Sequence, residues 1–331
     1  MSRRAGLDAA DLVRGVLGRD RSVLGRAITL LESDHPGDQQ TAEELLLSLL
    51  PYSGKSHRIG VSGVPGAGKS TLIETLGKNL TSSGHRVAVL AVDPTSSVSG
   101  GSVLGDKTRM TRLATDPDAF IRPTPSGGST GGVARRTHEA IVVCEAAGFD
   151  VIFVETMGVG QSEAAVAQMV DFLLVLVLAG AGDELQGIKR GILEHADMLV
   201  VNKADGENES RAERASREYQ SAWRILRPPR ADWDPVVLTC SAINNRGLDA
   251  LWARIEESRA RRLASGELDS RRQKQRLHWT WAIAEAELSR DFRNDEAVRQ
   301  RLRELDADLA AGKVTPATVA RSLIAVFRQQ R

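Results

Sequence analysis

The residues Gly63-Val64-Pro65-Gly66-Ala67-Gly68-Lys69-Ser70 have the spacing G-x-x-x-x-G-K-[ST]. That spacing is chemistry for a phosphate chain. Glycines let backbone N–H groups turn toward phosphate oxygens, and a helix that follows adds free donors and partial positive charge. Lys69 is placed to reach the β- and γ-phosphates, Ser70 to offer its hydroxyl to Mg²⁺, and Thr71 comes next along the nucleotide. A second constellation is Asn202-Lys203-Ala204-Asp205, of the form N-K-x-D. A carboxylate can accept from both N1–H and the exocyclic amine of guanine, whereas adenine has an acceptor at N1 and no amine beside it. Asp205 therefore predicts a preference for GTP over ATP. The alkyl stem of Lys203 can lie over the base, and Asn202 can tie loops together. The backbone of Ser241 and Ala242 is a candidate contact for guanine O6.

Three acids are candidates for the metal shell or for positioning water. Asp93 follows the apolar run 87–92, Asp106 sits in a polar Gly/Ser-rich stretch, and Glu155 ends the apolar run 151–155. A carboxylate at a strand end facing a phosphate loop holds Mg²⁺ or orients water. Small GTPases use Asp where Glu155 stands. Gly158 can sense the γ-phosphate through its amide. Val159 follows it, so the usual water-orienting Gln is absent and Gln161 is a distant substitute. Slow intrinsic turnover is expected, with Lys69 and Asp93 as the catalytic candidates. The Gly- and charge-rich stretch 179–189, with Asp183, Gln186 and Lys189, is either a switch-like loop or an ordinary turn.

These groups need a frame. The runs 58–62, 87–92, 151–155, 172–178, 198–201 and 236–239 are mostly continuous and apolar. Strands of that kind are buried on both faces, which predicts an α/β fold with a mainly parallel sheet flanked by helices. Ligands of such sheets bind beyond the carboxyl ends of the strands, where the candidate residues lie. Residues 1–55 read as a helical extension: Val23, Leu24, Ala27, Ile28 and Leu31 recur at helical spacing. Thr41 and Glu44 have capping-box spacing ahead of the run 45–50. The stretch 126–132 reads as a flexible loop before a helix over 133–147, and residues 56–258 as the nucleotide domain.

Residues 259–331 read as a helical arm. Leu302, Leu305 and Leu309 share a face, and Thr315-Pro316 opens the last helix. Arg271, Arg272, Lys274 and Arg276 read as a solvated face or a subunit contact.

Of the 331 residues, 41% are hydrophobic and 26% charged, the proportions of a globular protein. A net charge of +1 argues against binding nucleic acid through its phosphates. Cys144 and Cys240 have no CxxC partners and the six histidines are scattered, so neither a disulfide framework nor a thiolate metal site is expected. The first residues lack a signal-peptide core and no run is long enough to span a bilayer, which predicts a cytoplasmic protein off the membrane.

Together the motifs resemble the methylmalonyl-CoA mutase-associated GTPases, the MeaB/ArgK group of the SIMIBI class of P-loop GTPases. The matching stretches are 63–70, 92–97, 101–112, 119–123, 131–135, 144–149, 155–163, 179–189, 202–205 and the region 271–281, nearly the whole chain. Met157 departs from the smaller apolar residue usual there. The resemblance implies a homodimeric GTPase with an N-terminal helical extension and a C-terminal dimerisation arm. It implies a partner, an adenosylcobalamin-dependent acyl-CoA mutase, which the GTPase protects and whose cofactor loading it gates. Cobalamin would then belong to the partner, and Mg²⁺ with GTP or GDP to this chain. By position, Ser70, Asp93, Asp106 and Glu155 would form the Mg²⁺ shell, and residues 182–189 would relay nucleotide state. Two other readings stay open from the residues: a metal-insertion GTPase, which needs a Cys/His cluster, and a scaffold switched by nucleotide binding alone.

Overall fold

A computed structural model describes residues 8–33, 35–93, 110–125, 130–156, 162–180, 190–226 and 236–329. Its centre is a seven-stranded sheet in the order β3-β2-β4-β1-β5-β6-β7. The strands are β1 (His57–Gly63), β2 (Val87–Asp93), β3 (Ala119–Pro125), β4 (Val151–Thr156), β5 (Phe172–Val177), β6 (Met198–Val201) and β7 (Val236–Thr239). Every pairing is parallel.

The continuous apolar runs have the meaning expected of them, since β4, β5 and β6 are buried at every position. On one face Ile59, Val61, Phe153, Leu174 and Val200 pack against Leu72, Ile73 and Leu76 of α4 (Lys69–Ser82) and Leu248, Leu251 and Ile255 of the later helix Leu248–Ala264. On the other, Gly60 has no room for a side chain: an added Cβ would lie 2.8 Å from Leu173 and 3.1 Å from Val166 and Val170.

β3 was not expected. Its sequence, Ala-Phe-Ile-Arg-Pro-Thr-Pro, breaks its apolar run with Arg122, Pro123 and Pro125. Proline lacks the ladder donor and is tolerated at a sheet edge. Among the described residues β3 is an edge strand, paired only with β2, so its prolines sit where they cost least.

The N-terminal helices are α1 (Ala9–Leu17), α2 (Arg21–Leu31) and α3 (Pro36–Leu49). Asp8 and Asp20 cap the first two by accepting from backbone N–H groups one turn in. The capping box read at Thr41 and Glu44 is not a helix start. α3 begins at Pro36, and His35 Nδ1 accepts from Gly37 N at 3.1 Å. Proline at the first position sets the backbone for the helix and sacrifices no needed donor, so the helix starts there. α2 buries Leu24, Ala27, Ile28 and Leu31. Arg122 of β3 pairs with Glu32 at the end of α2, and Arg21 donates to Asp116 O at 3.2 Å, fixing the extension to the sheet edge.

Between the strands lie α5 (Thr111–Ala114), α6 (Thr130–Ala146), α7 (Ser162–Ala167), α8 (Arg190–His195) and α9 (Glu209–Leu226). α6 starts three residues before the expected 133, so Gly131 and Gly132 belong to a helix and not to a loop. After β7 come α10 (Leu248–Ala264), α11 (Glu267–Asn294), α12 (Glu296–Ala310) and α13 (Pro316–Gln329).

The chain divides into two compact units, Met1–Gln275 and Arg276–Arg331. The expected boundary at 258 falls within α10. In the second unit α12 and α13 pack together, Phe292 meets Phe327 edge to face at 5.2 Å, and Thr315 caps α13 by accepting from Thr318 N at 3.2 Å.

Lys274 and Arg276 of the basic run are exposed, as a solvated face would have them, but Arg272 is not. Arg272 is buried, donates to Gly54 O and Ser56 O, and pairs with Asp171 at 2.7 Å. Beside it, Arg262 pairs with Asp197 at 2.6 Å and Arg58 with Glu145 at 2.8 Å. Asp171 and Asp197 immediately precede β5 and β6, so this buried ion network lies at the strands' amino ends, away from their carboxyl ends.

Candidate nucleotide site

Strand order decides which loops meet. β1 lies between β4 and β5. The loop leaving β1 therefore has the Glu155 end of β4 on one side and the ends of β5, β6 and β7 on the other.

The phosphate loop is held by close packing. Gly63 has φ 144°, and a Cβ there would sit 2.2 Å from Leu176 O. Gly68 has φ 87°, and a Cβ there would sit 2.6 Å from Asn202 Nδ2. Only glycine satisfies both the left-handed backbone and the contact. Lys69 opens α4, is buried, and curls back so that Nζ donates to Gly63 O at 2.9 Å and Val64 O at 3.2 Å. Ser70 Oγ donates to Glu155 Oε1 at 2.8 Å. A hydroxyl and a carboxylate in contact beside a phosphate loop make a hard-oxygen donor pair that fits Mg²⁺. Asp93 ends β2, whose Ala91 is level with Glu155, so its backbone reaches the same edge. Asp106, Gly158, Gln161, Asp183, Gln186 and Lys189 lie outside the described residues.

At the far end of the site one side chain joins three loops. Asn202 is buried, and its Nδ2 donates to Ala67 O at 2.8 Å. Its Oδ1 accepts from Ala242 N at 3.2 Å and from Cys240 Sγ at 3.3 Å. Burial pushes the Cys240 thiol up to about 12, so it stays protonated and can donate. The expected tie is therefore present, and it engages the Ala242 N–H that was a candidate for guanine O6. Ser241 Oγ donates to Asp205 and orients its carboxylate. Ala204 N donates to Cys240 O at 2.9 Å, and Lys203 is exposed at φ 60°, a left-handed backbone outside glycine.

Some residues around the site gave no motif. Thr156 Oγ1 donates to Ser62 Oγ at 2.9 Å, a buried link closing β4 onto β1 where the phosphate loop begins. Glu74, one turn beyond Ser70, accepts from Arg112 N at 2.8 Å and Leu113 N at 3.2 Å. It caps α5 from the phosphate-loop helix. The available signal was a carboxylate inside the buried run 72–76.

With this geometry in view, comparison with known proteins is specific. Residues 24–297 match the family described as "Methylmalonyl Co-A mutase-associated GTPase MeaB". The chain belongs to that family. As a MeaB-family chain it is 53% identical over 316 residues to a Mycobacterium tuberculosis protein named as a GTPase, 95% of this chain and 94% of the other. It is 48% identical over 288 residues to "GTPase ArgK" of Escherichia coli, 87% of each. It is 44% identical over 329 residues to the "Methylmalonic aciduria type A homolog, mitochondrial" of Mus musculus, 96% of this chain and 79% of the other. Among solved structures, one titled "Crystal structure of LAO/AO transport system kinase" superposes with a TM-score of 0.76 at 38% identity, covering 99% of both chains. The chain is a GTPase with the P-loop fold. No helix among the described residues is long and apolar enough to cross a membrane.

Proposed function

We propose that this GTPase acts as a nucleotide-switched chaperone for an adenosylcobalamin-dependent acyl-CoA mutase, protecting the mutase and gating the loading of its cofactor. The family description supports a mutase partner and names methylmalonyl-CoA mutase. Cobalamin belongs to the mutase. The helical segment 259–331 serves as the arm of a homodimer, and the protein works in the cytoplasm.

In this reading GTP lies along the carboxyl edge of the sheet. Residues 63–70 cradle the phosphates, with Lys69 turning from the loop carbonyls to the β- and γ-oxygens. Ser70 and Glu155 would hold Mg²⁺, with Asp93 and Asp106 completing the shell; the metal, when bound, neutralises charge on the phosphate oxygens. Asp93 positions water, Gly158 senses the γ-phosphate, and Thr71 adds a contact at the helix start. Asn202 holds the loops, Lys203 covers the base, and Asp205 reads guanine with Ser241 and Ala242 closing the pocket. Asp183, Gln186 and Lys189 couple nucleotide state to the mutase. With Val159 after Gly158 in place of Gln, turnover is slow alone, and the partner supplies stabilisation worth roughly 10³–10⁵ in rate.

The observation that carries the base assignment is the Ser241–Asp205 hydrogen bond at the loop that Asn202 ties to the phosphate cradle. Asp205→Asn tests it. The variant keeps an acceptor and gains a donor, which complements the carbonyl of xanthine in place of the amine of guanine. Preference should move from GTP to xanthosine triphosphate in competition binding; unchanged GTP affinity would sink the assignment. Pull-down with GDP or a GTP analogue, followed by a cobalamin-loading assay on the captured mutase, tests the partner. Capture of no mutase in either state overturns the chaperone role.

A further inference from the structure

The turn that follows β7 is held from two directions by contacts that no nucleotide motif includes. Ser241 and Arg246 exchange both backbone hydrogen bonds at 3.0 Å, closing a four-residue turn over 242–245. Within it Asn245 has φ 51°, a left-handed backbone, and projects its amide outward. That amide meets Asn79 on the last full turn of α4, the helix that starts at Lys69. Asn79 Nδ2 donates to Asn245 Oδ1 at 2.7 Å, and Asn245 Nδ2 donates to Asn79 Oδ1 at 3.2 Å. The two residues are 166 positions apart, so the pair is a tertiary latch. On the other arm of the turn, Arg246 pairs with Glu209 at 2.5 Å, at the start of the helix that follows Asp205.

The phosphate helix and the guanine-reading loop thus converge on one small turn. Asn202 links the loops from inside; Asn79–Asn245 links them from the surface. A reciprocal amide pair is directional and holds both rotation and distance, which a single contact does not. Asp205 is selective only if its carboxylate stands at the correct distance from phosphates fixed by α4, and Ser241, which orients that carboxylate, immediately precedes the latched turn.

We propose that Asn79 and Asn245 are positioning residues for base selection: they set the span between the phosphate cradle and Asp205. The inference rests on the reading of Asp205 as the guanine acceptor. The test uses the full chain and three probes: GDP, IDP, which lacks the 2-amino group, and inorganic tripolyphosphate, which lacks a base. The variants are Asn79→Ala and Asn245→Gly; glycine accepts the left-handed backbone while removing the side chain that makes the pair.

Each variant should weaken GDP by about threefold to tenfold, the loss of one or two surface hydrogen bonds. The GDP-over-IDP ratio should fall, tripolyphosphate affinity should hold, and the double variant should be no weaker than either single one. An unchanged GDP-over-IDP ratio in both single variants overturns the proposal, as does an equal loss of GDP and tripolyphosphate. If the unmodified protein binds GDP no better than ADP, the base assignment itself fails.

Discussion

Gly68 shows how much one missing side chain can do. Its φ of 87° opens α4, and the space that a Cβ would fill is taken by Asn202 Nδ2 at 2.6 Å. The same Nδ2 donates to Ala67 O, so the glycine and the asparagine are halves of one fitting. Gly68→Ala adds left-handed strain of roughly 1–2 kcal/mol and pushes Asn202 off its three partners, so GDP affinity should drop by about tenfold or more. A fluorescence titration that returned the same Kd as the parent would refute this. The glycines and Asn202 announced themselves by spacing. Their mutual contact did not, because nothing in two stretches over 130 residues apart states that their atoms touch.

At the scale of elements, the start of α11 is a structural bolt. Arg272 meets Asp171 ahead of β5 and the carbonyls of Gly54 and Ser56 ahead of β1. The Arg272 guanidinium is the strongest of the influences that hold the Asp171 carboxyl below its ordinary value, against a burial that works the other way. Removing one partner of such a pair leaves a buried charge without its counter-ion. Arg272→Met should cost about 3–5 kcal/mol, read in urea unfolding of the whole chain. A loss below 1 kcal/mol would show that Asp171 is satisfied by backbone alone. The run Arg271-Arg272-Gln273-Lys274 looks like a solvated face because helical periodicity cannot say which exposed-seeming side chain has an acid waiting beneath it. β3 was missed for the converse reason: its prolines are unfavourable in general but harmless on the edge it occupies.

At the scale of the first unit, the buried His57 and the half-buried Glu139 oppose each other in pH. Burial lowers the His57 imidazole from 6.5 to about 4. Between those values the unfolded chain binds the extra proton, so this group adds stability as pH rises and removes it as pH falls. Burial raises Glu139 from 4.5 to about 7, against the pull of Arg135 and Arg136. Here the folded chain binds the extra proton, so stability falls as pH rises through the same window. The two slopes should nearly cancel between about pH 4.5 and 6.5. His57→Phe should leave stability falling with pH there, and Glu139→Gln should leave it rising, each by about 1.4 kcal/mol per pH unit at most. Chemical unfolding at several pH values checks both signs; parallel profiles for the two variants would exclude this account. Below the window Asp171, Asp197 and Glu145, whose carboxyls are all held low, lose their stabilising charge as pH falls through their folded values.

The order of amino acids by itself determined the G-x-x-x-x-G-K-[ST] and N-K-x-D spacings, the parallel character of the sheet and six of its strands. Each is local: a spacing, a run of apolar residues or a donor–acceptor inventory carried by neighbours in the chain. The strand order β3-β2-β4-β1-β5-β6-β7 was decided only in three dimensions. So were the Ser70–Glu155 contact, the hub at Asn202, the buried Arg272 and the Asn79–Asn245 latch. These depend on which distant segments pack side by side, and packing is a property of the assembled sheet and its helices, which no window of the sequence contains.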